Sequence, residues 1–230
     1  MIQGVDCYTI GLDVGRAVDY SALTVLTRHY RHLKPGEIPS PGVAMTIIYT
    51  AVEGYRFPLG TEYEYIAEAV KGVWERFDVQ AAKHFCVVDQ TGVGAPVVEL
   101  LRKKQIRSIG VNITAGSSIT HPAEDVYNVP KEVLVSSLVT HAQNGHFKIA
   151  IEEEEGKELK AQLQNFGYKI HRETGHVTYE ALQEKVHDDM VISAALALWW
   201  TAYNVYGVKY REGGREPDIQ EENEPFRRGR

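Results

Sequence analysis

The stretch "EKVHDDMVISAALALWW" runs from Glu184 to Trp200 and poses the central question of this chain. Two adjacent acids, Asp188 and Asp189, open its most apolar segment. Burying a carboxylate without a partner is costly, so the placement needs a reason. One reason is a helix start: the aspartates would accept from the first N–H groups and complement the helix dipole. The other is that something positive meets them there. Met190 to Tyr203 is interrupted by Ser193 and Thr201 and falls short of the roughly 20 residues of a membrane span. It reads as a buried helix, starting near His187 and running to about Tyr206.

Upstream of this helix, "GYKIHRETGHVTYEA" carries two alternating runs about Thr174-Gly175, a hairpin signal. At the other end of the chain, "CYTIGLDVG" (Cys7 to Gly15) reads as a strand entering a glycine turn. "SALTVLTRHY" and "GVAMTIIYTAVEGY" are two more β-branched strands, and short links suggest an antiparallel meander. From Thr61, a plausible N-cap, the period becomes helical through Phe77. "HFCVVD" (His84 to Asp89) is a buried strand, "TGVGAPVVELLRKK" a turn into a helix, and "IRSIGVNIT" another strand. Strand, helix, strand, helix, strand is the pattern of parallel pairing with crossovers. A loop with Gly116, Ser117, Ser118 and Pro122 follows. A helix over 130–145, a short strand "FKIAI" and an amphipathic helix "KELKAQLQNF" complete the body.

The 230 residues, 43% apolar, suffice for one large domain over 1–210. Residues 211–230 are charged and poor in apolar side chains, so a disordered tail is expected. "MIQGVDCYTI" does not read as a signal peptide. Cys7 and Cys86 lie in apolar runs and are expected as buried thiols of a soluble protein in a reducing compartment. The net charge of −6 argues against a polyanionic partner only if the acids are spread evenly. "EEEE" at Glu152 to Glu155 is one block, read as a solvated helix start. Basic residues cluster too, at Arg102, Lys103, Lys104 and Arg107, and at Arg227, Arg228 and Arg230.

Asp13, Asp89 and the Asp188-Asp189 pair each sit at an element end beside apolar sequence. Acids at the C-terminal ends of neighbouring strands face the crevice where α/β sheets bind ligands. If the final helix packs across the sheet, it brings Asp188 or Asp189 to the same edge. Such a cluster repels itself unless cations enter, and hard oxygen ligands suit Mg²⁺ or Mn²⁺. Two such ions, about 3.5–4 Å apart, clamp the attacking and leaving oxygens of a phosphodiester. Asp13, on the central strand, is the candidate shared ligand. Each acid also has a plain reading as a cap or turn residue.

"IGLDVG" with "DYSALTVL", "VVDQTGVGAPVVELL", "YNVPKEVLVSSLV", "GHFKIA" and "TGHVTYEALQEKVHDDMVISAALAL" occur in this order between Tyr8 and Trp200. Together they resemble the nuclease domain of the large terminase subunit of tailed bacteriophages. The resemblance implies an α/β RNase H-like fold. Its mixed central sheet has antiparallel first three strands and parallel following strands, flanked by helices, plus a β-hairpin. It implies a metal-dependent endonuclease that cuts concatemeric viral DNA during genome packaging, using two Mg²⁺ or Mn²⁺ ions. Asp13, Asp89 and one of Asp188 and Asp189 would hold the metal, Asp189 directly and Asp188 through water. Lys131 would contact a phosphate or remain a solvated first-turn lysine. Asp19 and His187 would lie near the site, or serve only structural roles.

Further expectations follow from the same resemblance. The hairpin around Gly175 would regulate access, and Arg102, Lys103, Lys104 and Arg107 would contact the DNA backbone or remain a solvated basic helix end. The partners implied are double-stranded DNA, a terminase ATPase domain, the small terminase subunit and the portal, in the host cell cytoplasm and away from membranes. No G-x-x-x-x-G-K-[ST] loop occurs, so the chain is expected to be the nuclease half without the motor. Competing readings are a related resolvase or transposase, an actin- or sugar-kinase-like ATPase suggested by "DVGRAVDYS", and a catalytically silent DNA-binding module.

Overall fold

The computed structural model describes residues 5–15, 18–32, 45–78, 82–170, 177–181 and 187–203. The expected tail and the hairpin turn at Thr174-Gly175 lie outside them. β1 (Val5–Asp13), β2 (Ser21–His32) and β3 (Met45–Phe57) form the expected antiparallel meander. Next come α1 (Tyr63–Asp78), β4 (Lys83–Asp89), α2 (Gly94–Lys103) and β5 (Ser108–Thr114). β6 (Thr120–Ala123), β7 (Val126–Pro130), α3 (Lys131–Gln143) and β8 (Phe147–Ile149) follow. The remainder is α4 (Glu154–Asn165), the paired strands β9 (Phe166–Ile170) and β10 (Val177–Ala181), and α5 (Asp189–Tyr203).

The main sheet has the order β6-β7-β5-β4-β1-β2-β3-β8. β4 runs parallel to β1, β5 to β4 and β7 to β5. Among the five strands β3-β2-β1-β4-β5, only β2 runs against the rest, which is the RNase H-like arrangement. The period-two alternation of side chains sends each strand's residues to two separate cores. On one face Ile10, Leu12, Leu23 and Val88 pack with Ile66 and Val70 of α1 and Val97 of α2. On the other, Ala22, Ala51, Val87 and Val111 pack with Leu134 and Leu138 of α3, Leu159 of α4 and nearly all of α5.

α5 is apolar all round because it is covered on all sides, and residues 190–198 are all buried. Its Ser193 and Thr201 hydroxyls have partners. Ser193 Oγ lies 2.7 Å from Thr24 Oγ1, and Thr201 Oγ1 lies 2.7 Å from Thr9 Oγ1. These pairs fix the helix in register on β1 and β2. The contact is backbone-close at Gly11, where an added Cβ would stand 1.9 Å from the Ser193 carbonyl oxygen.

Two details differ from the sequence expectation, and the helix start within the glutamate block agrees with it. The segment read as a loop after β5 contains β6 and β7. All four β6 residues are exposed and one is Pro122, so this edge strand carries no alternation to read. Thr61 lies ahead of α1, and its hydroxyl donates to the Pro58 carbonyl (2.6 Å). α4 begins within the glutamate block, at Glu154, where acids complement the helix N-terminus. No described helix is long and apolar enough to cross a membrane.

Because a methyl group at Gly11 collides with helix backbone, Gly11→Ala should destabilise the fold by about 3 kcal/mol, the upper part of the overpacking range. The urea midpoint of that variant measures it. A midpoint equal to the parent's would show that α5 does not lie this close to β1.

Candidate active site

Strand direction and side-chain alternation build the site. β1 and β4 are parallel and both end in aspartate, so Asp13 and Asp89 emerge at the same sheet edge. Leu12 pairs with Val88, one residue before each acid. Asp13 pairs with Ala22, Ala22 with Arg56, and Asp89 with Val111. A single row therefore crosses the sheet as Arg56, Ala22, Asp13, Asp89 and Val111, on the face that α5 covers. α5 starts at this edge, with Asp188 and Asp189 beside the row. The result is a cleft of about 330 Å³ lined by Asp13, Asp19, Asp89, His187, Asp188 and Asp189, among others.

The two acids of the helix start have different partners. Asp189 is nearly fully buried and accepts two hydrogen bonds from Arg56, Nε to Oδ2 at 2.8 Å and Nη2 to Oδ1 at 3.0 Å. Such forked pairing fixes both oxygens in one plane. Arg56 also lies 3.4 Å from Glu158 and stacks on the Tyr20 ring at 3.8 Å. Burial opposes the charge on Arg56, but its bond to Asp189 and the nearby acids hold its pKa above the usual value. Asp188 turns the other way, and Lys131 Nζ donates to its Oδ2 at 2.6 Å. The backbone oxygen of Asp188 accepts from Ile192 N–H (2.8 Å), as an N-cap residue does. Neither aspartate side chain caps the next amides. Gln162 of α4 does so, its Oε1 accepting from the N–H groups of Met190 (3.0 Å) and Val191 (3.2 Å).

Asp13 and Asp89 are placed differently. Thr91 N–H donates to Asp89 Oδ1 at 2.8 Å. Among the described residues, no side-chain cation bonds to either acid. Burial, then the charges of Asp89, Asp188 and Asp189, push the Asp13 pKa well above the usual carboxylate range, with Lys131 pulling it back. Burial also raises Asp89, against the pull of Thr91 and Lys131. Among the described residues, no three acids or histidines stand close enough to enclose an ion as the side chains are now turned. The donor set nonetheless suits a hard cation: carboxylate oxygens, repelling one another, at the rim of an open cleft.

Asp13, Asp89, Asp188, Asp189, Asp19 and His187 thus share one cleft, with Lys131 joined to it through Asp188. Of the basic cluster, Lys104 bonds Glu64 and Glu68 of α1, and Arg107 bonds Asp125. Sequence reasoning missed Arg56 and Gln162. Arg56 had a faint signal, a cation at the end of an otherwise β-prone run. Gln162 had another, an amide on the α4 stripe that also carries Leu159.

No family model matches the chain, and no curated protein matches it. Among solved structures, the chain is similar to a large terminase nuclease from the thermophilic phage G20c with bound zinc. That match has 23% identity over 83% of this chain and 79% of the other, with a TM-score of 0.49. It is also similar to RuvC of Thermus thermophilus, at 12% identity over 85% of this chain and 94% of the other, with a TM-score of 0.35.

The raised pKa of Asp13 carries a definite sign. An acid whose folded pKa exceeds its unfolded one binds extra protons in the native state. Its stability contribution is therefore lost as pH rises from about 4 through the raised value. In chelator, the parent should lose melting temperature over that window, and Asp13→Asn should flatten the loss and melt higher at neutral pH. An Asp13→Asn melt with the parent's pH slope would contradict the electrostatics described here. The helix-start acids should also separate. Asp189→Asn breaks a buried forked pair and should cost about 3 kcal/mol, whereas Asp188→Asn should cost under about 1 kcal/mol. Chemical denaturation of the two variants compares them directly, and equal losses would contradict the assignment.

Proposed function

We propose that this chain is a metal-dependent endodeoxyribonuclease that hydrolyses DNA phosphodiesters without a covalent intermediate. The reading extends to cutting concatemeric viral DNA during genome packaging, as the nuclease part of a terminase large subunit. The observation that carries the chemistry is the pair Asp13 and Asp89. They are neighbours at the ends of parallel strands, open to one cleft, and left without a bonded side-chain cation among the described residues. The sequence resemblance supplies the packaging role, and with it the duplex substrate, the ATPase, small-subunit and portal partners, and the setting in the host cytoplasm.

Asp13, Asp89 and Asp188 would hold the cation. Asp188 takes the place expected of Asp189, because both oxygens of Asp189 already accept from Arg56. Asp13 feels the charge of all the other acids, so it is the one placed to be shared if two ions bind. Mg²⁺ or Mn²⁺ there would supply a Lewis acid that lowers the pKa of a water and screens the phosphodiester charge. The protein's own work is positional. Thr91 N–H fixes the Asp89 rotamer, and Arg56 with Gln162 fixes the first turn of α5. Lys131, at the N-terminus of α3, offers an ammonium to a backbone phosphate near the cleft. His187, exposed and edge-on to Tyr20 at 5.0 Å, stands at the cleft mouth.

Asp89→Asn should keep the fold and reduce Mn²⁺-dependent nicking of duplex DNA more than about 100-fold, beyond the loss typical of even an outer partner of a metal site. Supercoiled plasmid, with and without EDTA, reads this out. Full nicking by pure Asp89→Asn protein would remove the proposal.

A further inference from the structure

The two acids of the helix start are not equivalent, and the difference lies in how exposed their cations are. The Arg56–Asp189 pair is largely buried, with side-chain exposures of 21% and 6%, and is braced by Tyr20, Glu158 and Gln162. The Lys131–Asp188 pair is open, with exposures of 45% and 33%, and is held by one contact. An ion pair this wet contributes little and exchanges readily. A lysine ammonium is a flexible point charge, able to leave one oxygen for another.

We infer that Lys131 is an exchangeable counter-ion. It holds Asp188 while the cleft lacks a divalent cation, yields the carboxylate when the cation arrives, and is thereby released to bind a substrate phosphate. Cation loading and DNA binding are then coupled through one side chain. Lys131 is a positioning residue in the first state and a phosphate ligand in the second. The order follows from charge: before loading, Lys131 is bonded to an acid and unavailable to phosphate. After loading, Asp188 no longer needs it, and the ammonium sits on the first residue of α3, where its N-terminal dipole also favours an anion. Arg56 does not take part, because leaving Asp189 would strand a buried carboxylate. The inference rests on the nuclease reading of the cleft.

Calorimetric titration with Mn²⁺, in the absence of DNA, tests the first half. Lys131→Met should bind Mn²⁺ about three- to fivefold more tightly than the parent, and Lys131→Arg should stay near it. Loss of a nearby charge alone would also tighten binding, so the same change is made in an Asp188→Asn background. There the gain should shrink to what the Lys131 charge alone exerts on Asp13 and Asp89, since the rest acts through the one contact with Asp188. Fluorescence anisotropy with a short duplex tests the second half, using Ca²⁺ in place of Mn²⁺. Without divalent cation, the parent and Lys131→Met should bind alike, and with it the parent should bind more tightly. Unchanged or weaker Mn²⁺ affinity in Lys131→Met overturns the inference. So does a gain undiminished by Asp188→Asn, or a duplex-binding gap already present without cation. In each of these cases the nuclease reading stands. Absence of Mn²⁺ binding by the parent and every variant overturns both.

Discussion

The forked pair between Arg56 and Asp189 joins the end of β3 to the first turn of α5, and the cleft depends on that joint. α5 is held along its length by apolar burial and by the hydroxyl pairs Thr9–Thr201 and Thr24–Ser193. These contacts fix its register but not its mouth, where the helix leaves the sheet edge. There the first amides need acceptors and the acids need counter-ions. Arg56 meets one need and Gln162 the other, so the helix start is fixed by two residues from two other elements. Without them a helix beginning Asp-Asp would bring uncompensated charge against a dry core.

Adjacent residues on a helix point roughly 100° apart, and this decides what the two aspartates can do. They cannot share a partner. Asp189 turns toward β3 and α4, into the protein, and becomes part of the scaffold. Asp188 turns toward α3 and the open cleft. A sequence of two acids thus divides into one that fixes the helix and one that stays accessible. The adjacency of the two acids is a division of labour in the structure.

Much of this was legible in the text of the chain. β1, β2 and β3 announced themselves by β-branched runs with short links, and β4, α2 and β5 by alternation of element type. Asp13 and Asp89 were recognisable as candidates because both are strand-end acids beside apolar runs, although each also had a plain reading as a turn or cap residue. The choice between Asp188 and Asp189 was not legible, because it depends on which face meets Arg56, and Arg56 is 133 residues away along the chain. Gln162 was hidden for the same reason: a helix stripe shows that a position is buried, not that an amide there caps another helix. β6 escaped because its side chains are all exposed, so only backbone pairing to β7 defines it.

The charge distribution also bears on how such a domain would hold a polyanion. Several basic residues are engaged in ion pairs, two of them from the 102–107 cluster. Lys104 is spent on Glu64 and Glu68, Arg107 on Asp125, Arg76 on Glu53 and Arg56 on Asp189. With a net charge of −6, the chain offers a polyanion little long-range attraction. Affinity for phosphate must then come from few contacts, and salt sensitivity should be shallow, because each neutralised phosphate adds a fixed increment to the salt slope. On the proposed function, such a cleft would favour positioning by a neighbouring protein over capture from solution. Its acids would then repel the duplex until a cation reversed the local field, and the bound cation would belong to the DNA-binding surface as well as to the chemistry.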